Sequence, residues 1–456
     1  MNKNKDQELN HENNNNTTKQ ASSLDALDHN LRRHWYPMSF SKHLVQDTPV
    51  GLHLLGDPIV LFRDSNGLAC CLADICAHRS APLSIGRITN GTLECKYHGW
   101  RYDNRGKVVE IPALEKSRKI PRSACTRVYP CREVDNLVWV YPGTVVDDPH
   151  LPPIPNLVPG KRNPEWCKPF DFAVDLNIDH SLMVENLLDP AHLPFTHENT
   201  LAKRSDATAM VMEHLKAHVD ANDSSFSKIE AVAKTPERNK PPVTFLFQVP
   251  CTVIISTDIK PGWKFEQSMS CVPTRPGHMR LIFRQGRTFA KWLNHIPWIE
   301  GLQTKYSLKI VMQDYELLHG QQTRLFQHAR PWNVPIQVDS LPSMYRNWHS
   351  RALAQFPPWF QGYNLDLEDL DQLVCAVSTS KSKNRTMRSN RSNPSVYYDE
   401  AVVPNQMGVD NSAYTSPPRS SKNERMNISW SNVISLIVVV VAVVSLAYYK
   451  QAQALM

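Results

Sequence analysis

Cysteine is scarce, with ten thiols in 456 residues. That is far below the density of a small secreted domain stapled by disulfides, so the expectation is a reducing compartment and a fold held by its own core. A large excess of one charge is missing as well. The 51 Lys and Arg against 44 Asp and Glu leave a net +7, interspersed along the chain, which gives no ground for a nucleic-acid partner. The first twenty residues hold no apolar stretch and do hold acidic residues, unlike a secretory signal or an acid-poor transit peptide. What is present is the length, and the 41% hydrophobic share, of a folded protein of two or three domains.

Residues 1–30 are polar and Asn-rich and read as a disordered leader. Residues 31–145 open with LRRHWYPMSF and continue in short apolar runs, PIVLF and NLVWVY, separated by Gly, Asn, Asp and Pro, which suits a small β-rich domain. A Pro-rich, charged connection follows, from Pro149 to Lys168. Within residues 146–375, the apolar spacing after Asp175 in DFAVDLNIDHSLMVENLLD suits a helix stopped by Pro190, and VTFLFQV, TVIISTDI and MRLIFRQ suit strands. With a helical stretch from about Tyr306 to His319, this reads as an α+β domain, an antiparallel sheet with helices packed on it. Residues 376–426 are rich in Ser, Asn and basic side chains, as in a flexible linker.

One long apolar run closes the chain. Asn427 to Tyr449 carry no charge, and at about 1.5 Å per residue they reach across a hydrocarbon core of about 30 Å. A buried strand or core helix is the other reading, but only the residues after Tyr449 remain for it to pack with. The expectation is a single-pass transmembrane helix anchoring the protein to a membrane, with the folded part on the cytoplasmic-type side because the linker is basic.

Two clusters carry chemistry. CAHRSAPLSIGRITNGTLECKYHGW gives Cys76-x-His78, sixteen residues, then Cys95-x2-His98. Two such pairs can clamp a small metal unit between two loops, and mixed sulfur and nitrogen ligation admits zinc or a two-iron cluster. The second stretch, ENLLDPAHLPFTH, supplies Glu185, Asn186, Asp189, His192 and His197. Packing poorly explains two imidazoles five positions apart with carboxylates just before them. Two histidines and a carboxylate make the facial triad of mononuclear non-haem Fe(II) oxygenases, which leaves coordination positions open.

Both stretches resemble the Rieske non-haem iron oxygenases, whose first motif is C-x-H, a spacer of about 15 to 17 residues, then C-x2-H. The resemblance implies a [2Fe-2S] cluster with Cys76 and Cys95 on one iron and His78 and His98 on the other, a set that raises the reduction potential above that of a four-cysteine cluster. No further cysteine sits beside these ligands to form the disulfide of respiratory Rieske proteins. Gly99 would let backbone approach the cluster, and Trp100 could cover it or be ordinary core.

The D-x2-H-x4-H iron motif of the family matches at Asp189, His192 and His197. The carry-over makes His192 and His197 ligands of a mononuclear Fe(II), and Asp189 the acid that bridges a Rieske histidine to an iron histidine. Because family members usually make that contact between neighbouring subunits, a homotrimer is implied. The third ligand would be Asp314 in VMQDYELLHGQQ, 117 residues after His197, in Gln-Asp surroundings that resemble those of one branch. Glu316, Glu368, Asp369 and Asp371 are the alternatives, and His319 is read as structural or as lying outside the ligand set.

That branch comprises pheophorbide a oxygenase, the lethal-leaf-spot-type proteins, chlorophyllide a oxygenase and the translocon component Tic55. It is similar in HWYPMSF, in the cluster loop through VVEIPAL, in NLLDPAHLPFTH and in the QD motif. The resemblance implies an enzyme that uses O2 and electrons from ferredoxin or a ferredoxin- or NAD(P)H-dependent reductase to oxygenate a large hydrophobic ring, a chlorin such as pheophorbide a. A sterol or other lipid oxygenase or desaturase is the alternative substrate class. A membrane-bound Rieske electron-transfer or redox-linked transport component without turnover is the alternative outside enzymes. Phe195, Phe245, Phe247 and Trp263 could line a substrate cavity or belong to the core. Unlike plant members, the chain has no plastid transit sequence and no C-terminal Cys-x2-Cys, Cys375 being alone, which suits a thylakoid or plasma membrane of a cyanobacterium.

Overall fold

The computed structural model describes residues 30–143, 151–155, 157, 165–218, 228–235, 241–327 and 334–354. Its N-terminal part is built from short strands: β1 (Tyr36–Phe40), β2 (Val50–Leu54), β3 (Asp57–Arg63), β4 (Ala69–Ala73), β5 (Arg87–Thr89), β6 (Thr92–Glu94), β7 (Arg101–Tyr102), β8 (Val108–Glu110), β9 (Val128–Tyr129), β10 (Cys131–Val134) and β11 (Leu137–Val140). They form three sheets, ordered β1-β11-β10, β2-β3-β4-β9 and β5-β6-β7-β8.

Strand β3 explains why the expected run PIVLF is apolar at every position. Successive side chains of a strand face opposite ways. Ile59 and Leu61 enter one apolar cluster, while Val60 and Phe62 enter a second with Leu72, Leu83, Leu93 and Tyr102. The second cluster lies under the β4–β5 and β6–β7 loops and includes Cys76 and Cys95. The first continues without interruption into the C-terminal part, joining Trp35, Tyr36 and Trp139 to Phe172, Phe247, Val272 and Leu281. Backbone bonds reinforce the junction: Leu55 N–H donates to the Pro273 carbonyl at 2.9 Å and Gly56 N–H to that of Thr274 at 2.8 Å.

The C-terminal part contains β12 (Phe170–Leu176), α1 (His180–Leu187), α2 (Leu193–Thr196), β13 (Val211–His218), β14 (Lys228–Lys234), β15 (Val243–Gln248), β16 (Thr252–Lys260), β17 (Trp263–Arg275), β18 (His278–Arg287), α3 (Ile299–Phe326) and α4 (Ser340–Leu353). Its seven strands make one antiparallel sheet in the order β12-β18-β17-β16-β15-β14-β13. The α+β expectation therefore holds for this region. Strands anticipated from VTFLFQV, TVIISTDI and MRLIFRQ are β15, β16 and β18.

The helix expected to follow Asp175 starts later. Asp175 pairs with Arg280 inside β12, and Asp179 caps α1 by accepting the Ser181 N–H at 2.9 Å. Helix α3 is longer than the anticipated stretch. Its buried face carries Val311, Asp314, Leu318, Gln322 and Leu325, one every three or four residues. Two polar side chains on that apolar stripe mark it as more than packing.

The expected transmembrane helix requires correction. Among the described residues no helix is long and apolar enough to cross a membrane. Helix α3 has the length, but it carries charges such as Glu300, Lys305, Lys309 and Arg324 and buries only one face. Residues 427–449, on which the expectation rested, lie outside the described residues, as do the leader before residue 30, the linker 376–426, the expected boundary at 145/146, and Glu368, Asp369, Asp371 and Cys375. The structure thus supports neither the transmembrane helix, nor a membrane as partner, nor a single-pass topology with a thylakoid or plasma-membrane location. No described element supports the homotrimer either.

Candidate metal centres and active site

The four residues of the first motif converge from two loops. Cys76 and His78 lie on the β4–β5 connection, and Cys95 and His98 on the β6–β7 connection. Both thiols are buried while both imidazoles are exposed, with their Nδ1 atoms 3.2 Å apart. Burial raises the Cys95 thiol and the neighbouring Cys76 sulfur adds to this, against the pull of the Tyr97 and His98 backbone N–H groups. Two sulfurs held against each other out of water disfavour two bare thiolates, and a cationic metal unit relieves that. The donor set fits a [2Fe-2S] cluster. His98 is lowered by desolvation and by His78 and Arg79 beside it.

Supporting groups surround this set. The Trp100 ring lies flat on His78, centroids 4.7 Å apart and planes within 2°, so it covers the cluster loop while also packing against the second apolar cluster. Gly99 sits at φ +71°, and a Cβ there would lie 3.0 Å from the Pro112 side chain, so the turn requires glycine. Tyr102, which motif reading passed over, places its hydroxyl 3.1 Å from Cys76 Sγ while accepting the Ala77 N–H at 2.9 Å.

The second motif folds as a turn and one helical turn. Asp189 Oδ1 accepts the Ala191 N–H at 2.7 Å, which fixes the turn through Pro190, and His192 and His197 flank the short α2 with their rings 5.2 Å apart. Asp314 comes from the buried face of α3. Its Oδ1 is 3.7 Å from His192 Nε2 and 3.1 Å from His197 Nε2, and the three ligand atoms lie within 4.8 Å of one another. A carboxylate facing two imidazole nitrogens in a largely buried site suits a divalent cation of the non-haem iron type, so the residues fit the implied metal. Burial lowers the basicity of His197, but its contact with Asp314 and the bond to Gln313 outweigh this and the net shift is upward.

Around the triad the structure sorts the expected residues. Asn186 Nδ2 donates to Asp314 Oδ1 at 3.4 Å. Asp189 Oδ2 stands 3.6 Å from His192 Nδ1. Glu185 is not at the site and pairs instead with Arg346 of α4 in the interior. His319 lies beside Tyr315 one turn beyond the triad, the two rings tilted to each other. Glu316 is exposed on the far side of α3. Of the aromatics considered for a cavity, Phe245 and Phe247 are core, Phe247 packing on Tyr345 and Trp348; Trp263 stacks on Phe289 and Phe195 is exposed.

Sequence reading missed Gln313, Thr200 and Tyr306. Gln313 Oε1 is 3.1 Å from His197 Nδ1 and 2.9 Å from Thr200 Oγ1, and the Tyr306 hydroxyl donates to the Thr200 carbonyl at 2.7 Å. The available signal was the position of Gln313 beside Asp314.

Comparison with known proteins agrees with this geometry. Residues 34–130 match the family model for the Rieske [2Fe-2S] domain, and residues 247–332 match that for pheophorbide a oxygenase. Chlorophyllide a oxygenase of Chlamydomonas reinhardtii is 30% identical over 73% of this chain and 50% of its own length. Protein TIC 55 of Arabidopsis thaliana is 31% identical over 77% of this chain and 65% of its own. The chain thus spans about half to two thirds of these relatives. The crystal structure of dicamba monooxygenase bound to dicamba shares the fold, with a TM-score of 0.58 at 20% identity, over 71% of this chain and 97% of that one. A cysteine–histidine cluster site in one part and a two-histidine, one-carboxylate site in the other, together with these matches, relate the chain to the Rieske-domain oxygenases of the pheophorbide a oxygenase, chlorophyllide a oxygenase and TIC 55 branch.

Proposed function

We propose that the protein is a Rieske non-haem iron oxygenase that takes electrons from a ferredoxin-type donor and uses O2 to oxygenate a large ring substrate, a chlorin such as pheophorbide a. One observation carries the reading: His192, His197 and Asp314 converge in the same chain as the Cys76, His78, Cys95 and His98 set. An electron carrier has no need of a second site with open coordination positions. The chlorin follows from the family-model match over residues 247–332 and from what the relatives are named for.

When bound, the cluster passes single electrons and the triad iron activates O2. The chain's own residues do the holding. We assign Cys76, Cys95, His78 and His98 to the cluster and His192, His197 and Asp314 to the iron. Asn186 restrains the Asp314 carboxylate through its amide N–H, so that one oxygen stays turned toward both imidazoles. Asp189 stands beside His192 Nδ1 and is the acid assigned to linking the two metal sites. Burial of His197 and Asp314 keeps bulk water from competing for the site.

The test is anaerobic reduction with ferredoxin and its reductase, then oxygen addition with pheophorbide a, a chlorophyllide and a sterol in parallel, with product mass measured. A chlorin gaining oxygen from labelled O2 supports the reading, with about three iron atoms per chain. His192→Ala should keep the Rieske spectrum and abolish product. Two iron atoms per chain and no oxygenated product from any substrate would refute it.

A further inference from the structure

We propose that Gln313 is a positioning residue that sets the tautomer of His197. It deepens the preceding reading, since it rests on the triad as the iron site. To ligate through Nε2, a neutral imidazole must carry its proton on Nδ1, and a buried N–H requires an acceptor. The His197 ring is buried, with Nε2 toward Asp314 at 3.1 Å and Nδ1 toward Gln313 Oε1 at 3.1 Å. Consecutive residues of α3 therefore grip the two nitrogens of one ring from opposite ends.

An amide can present oxygen or nitrogen, and ligation through His197 Nε2 requires the oxygen here. Thr200 Oγ1 lies 2.9 Å from Gln313 Oε1 and 2.8 Å from the His197 carbonyl, so its one proton serves one of two acceptors. If the amide were reversed, its N–H would point at His197 Nδ1. The ring would then have to accept there and carry its proton on Nε2, which blocks metal ligation. Tyr306, two helical turns before Gln313, donates to the Thr200 carbonyl at 2.7 Å and so holds the Thr200 loop to the same helix. His192 lacks this arrangement: its Nδ1 faces the Asp189 carboxylate at 3.6 Å, outside hydrogen-bond reach. The two iron histidines thus differ in kind, one backed by a neutral amide and the other by an acid.

The experiment compares the full-length holoprotein with Q313L, Q313E and T200V, measuring mononuclear iron affinity and the nitric-oxide adduct of the ferrous protein by electron paramagnetic resonance, with the Rieske signal as an internal control for folding. Q313L should weaken mononuclear iron binding about 10–100-fold, the usual effect of losing a histidine's outer partner. It should broaden the nitrosyl signal and leave the Rieske signal intact. Q313E, which keeps an acceptor, should restore affinity, and T200V should give a smaller loss. Wild-type affinity and an unchanged nitrosyl signal in Q313L would overturn the inference, as would a loss in Q313E equal to that in Q313L. If Q313L fails to fold, Q313E and T200V decide: retained affinity in the first with a loss in the second supports the latch, and equal affinities in both overturn it. Absence of mononuclear iron from the wild-type protein would instead remove the triad reading, and the latch with it.

Discussion

Replacing Arg346 by Met removes the cation from a carboxylate that has almost no water around it. The side chains of Glu185 on α1 and Arg346 on α4 are 11% and 10% exposed. In R346M, Glu185 must either stay ionised in a low-dielectric interior or take up a proton. Breaking such a pair by deleting one partner costs about 3–5 kcal/mol. Replacing both by apolar residues of similar volume, E185L with R346M, removes the buried charge altogether and should cost little or even stabilise. The effect reaches the metal site because the next residue, Asn186, holds Asp314. Urea unfolding of the wild type, both single variants and the double variant forms a complete cycle. R346M should lose about 3–5 kcal/mol and the double variant should recover most of it. A loss below about 1 kcal/mol in R346M would mean that the pair behaves like an exposed one, and the reasoning would fail.

Two further outcomes follow from other buried groups. His349 and His180 meet at 3.2 Å between Nε2 atoms in the interior. Burial lowers both, His349 well below the usual value, with His180 and Arg346 adding to the effect there. The unfolded chain therefore binds protons near pH 6.5 that the folded chain does not, so stability should fall as pH drops below about 6.5. His349→Gln should flatten that dependence in denaturant titrations between about pH 7.5 and 5.5, and an unchanged slope would contradict the assignment. Tyr102→Phe removes the hydroxyl beside Cys76 Sγ. Because a hydrogen bond to the sulfur stabilises the more negative, reduced cluster, the variant should show a lower Rieske reduction potential in a redox titration, and an unshifted potential would exclude the contact.

What the sequence disclosed was local chemistry. The ligand pairs around Cys76 and Cys95, and the Asp189, His192, His197 turn, each lie within a short stretch whose spacing reports its own geometry. Asp314 needed the resemblance, although its place on the apolar stripe of α3 carries the same message. Contacts between distant residues stayed hidden, such as Glu185 with Arg346 and His180 with His349, because nothing in either segment names its partner. Helix α4 was overlooked for a local reason. Pro342 reads as a helix breaker, yet it falls in the first turn, where its missing N–H costs nothing. Strand β12 was legible but unused: Phe170, Phe172, Val174 and Leu176 alternate with Asp171 and Asp175, and only Leu176 falls in the stretch expected to be helical. The apolar run at 427–449 satisfied length and hydropathy alone, and no described helix repeats that character.

The interior that joins Trp35, Tyr36 and Trp139 to Phe172, Phe247 and Leu281 has a mechanical meaning. Two bodies that share one packed centre cannot swing about a hinge without tearing it open, since dense packing resists partial separation. Within one molecule, the spacing between the Cys76, His78, Cys95, His98 set and the His192, His197, Asp314 set is thereby built in as a fixed length.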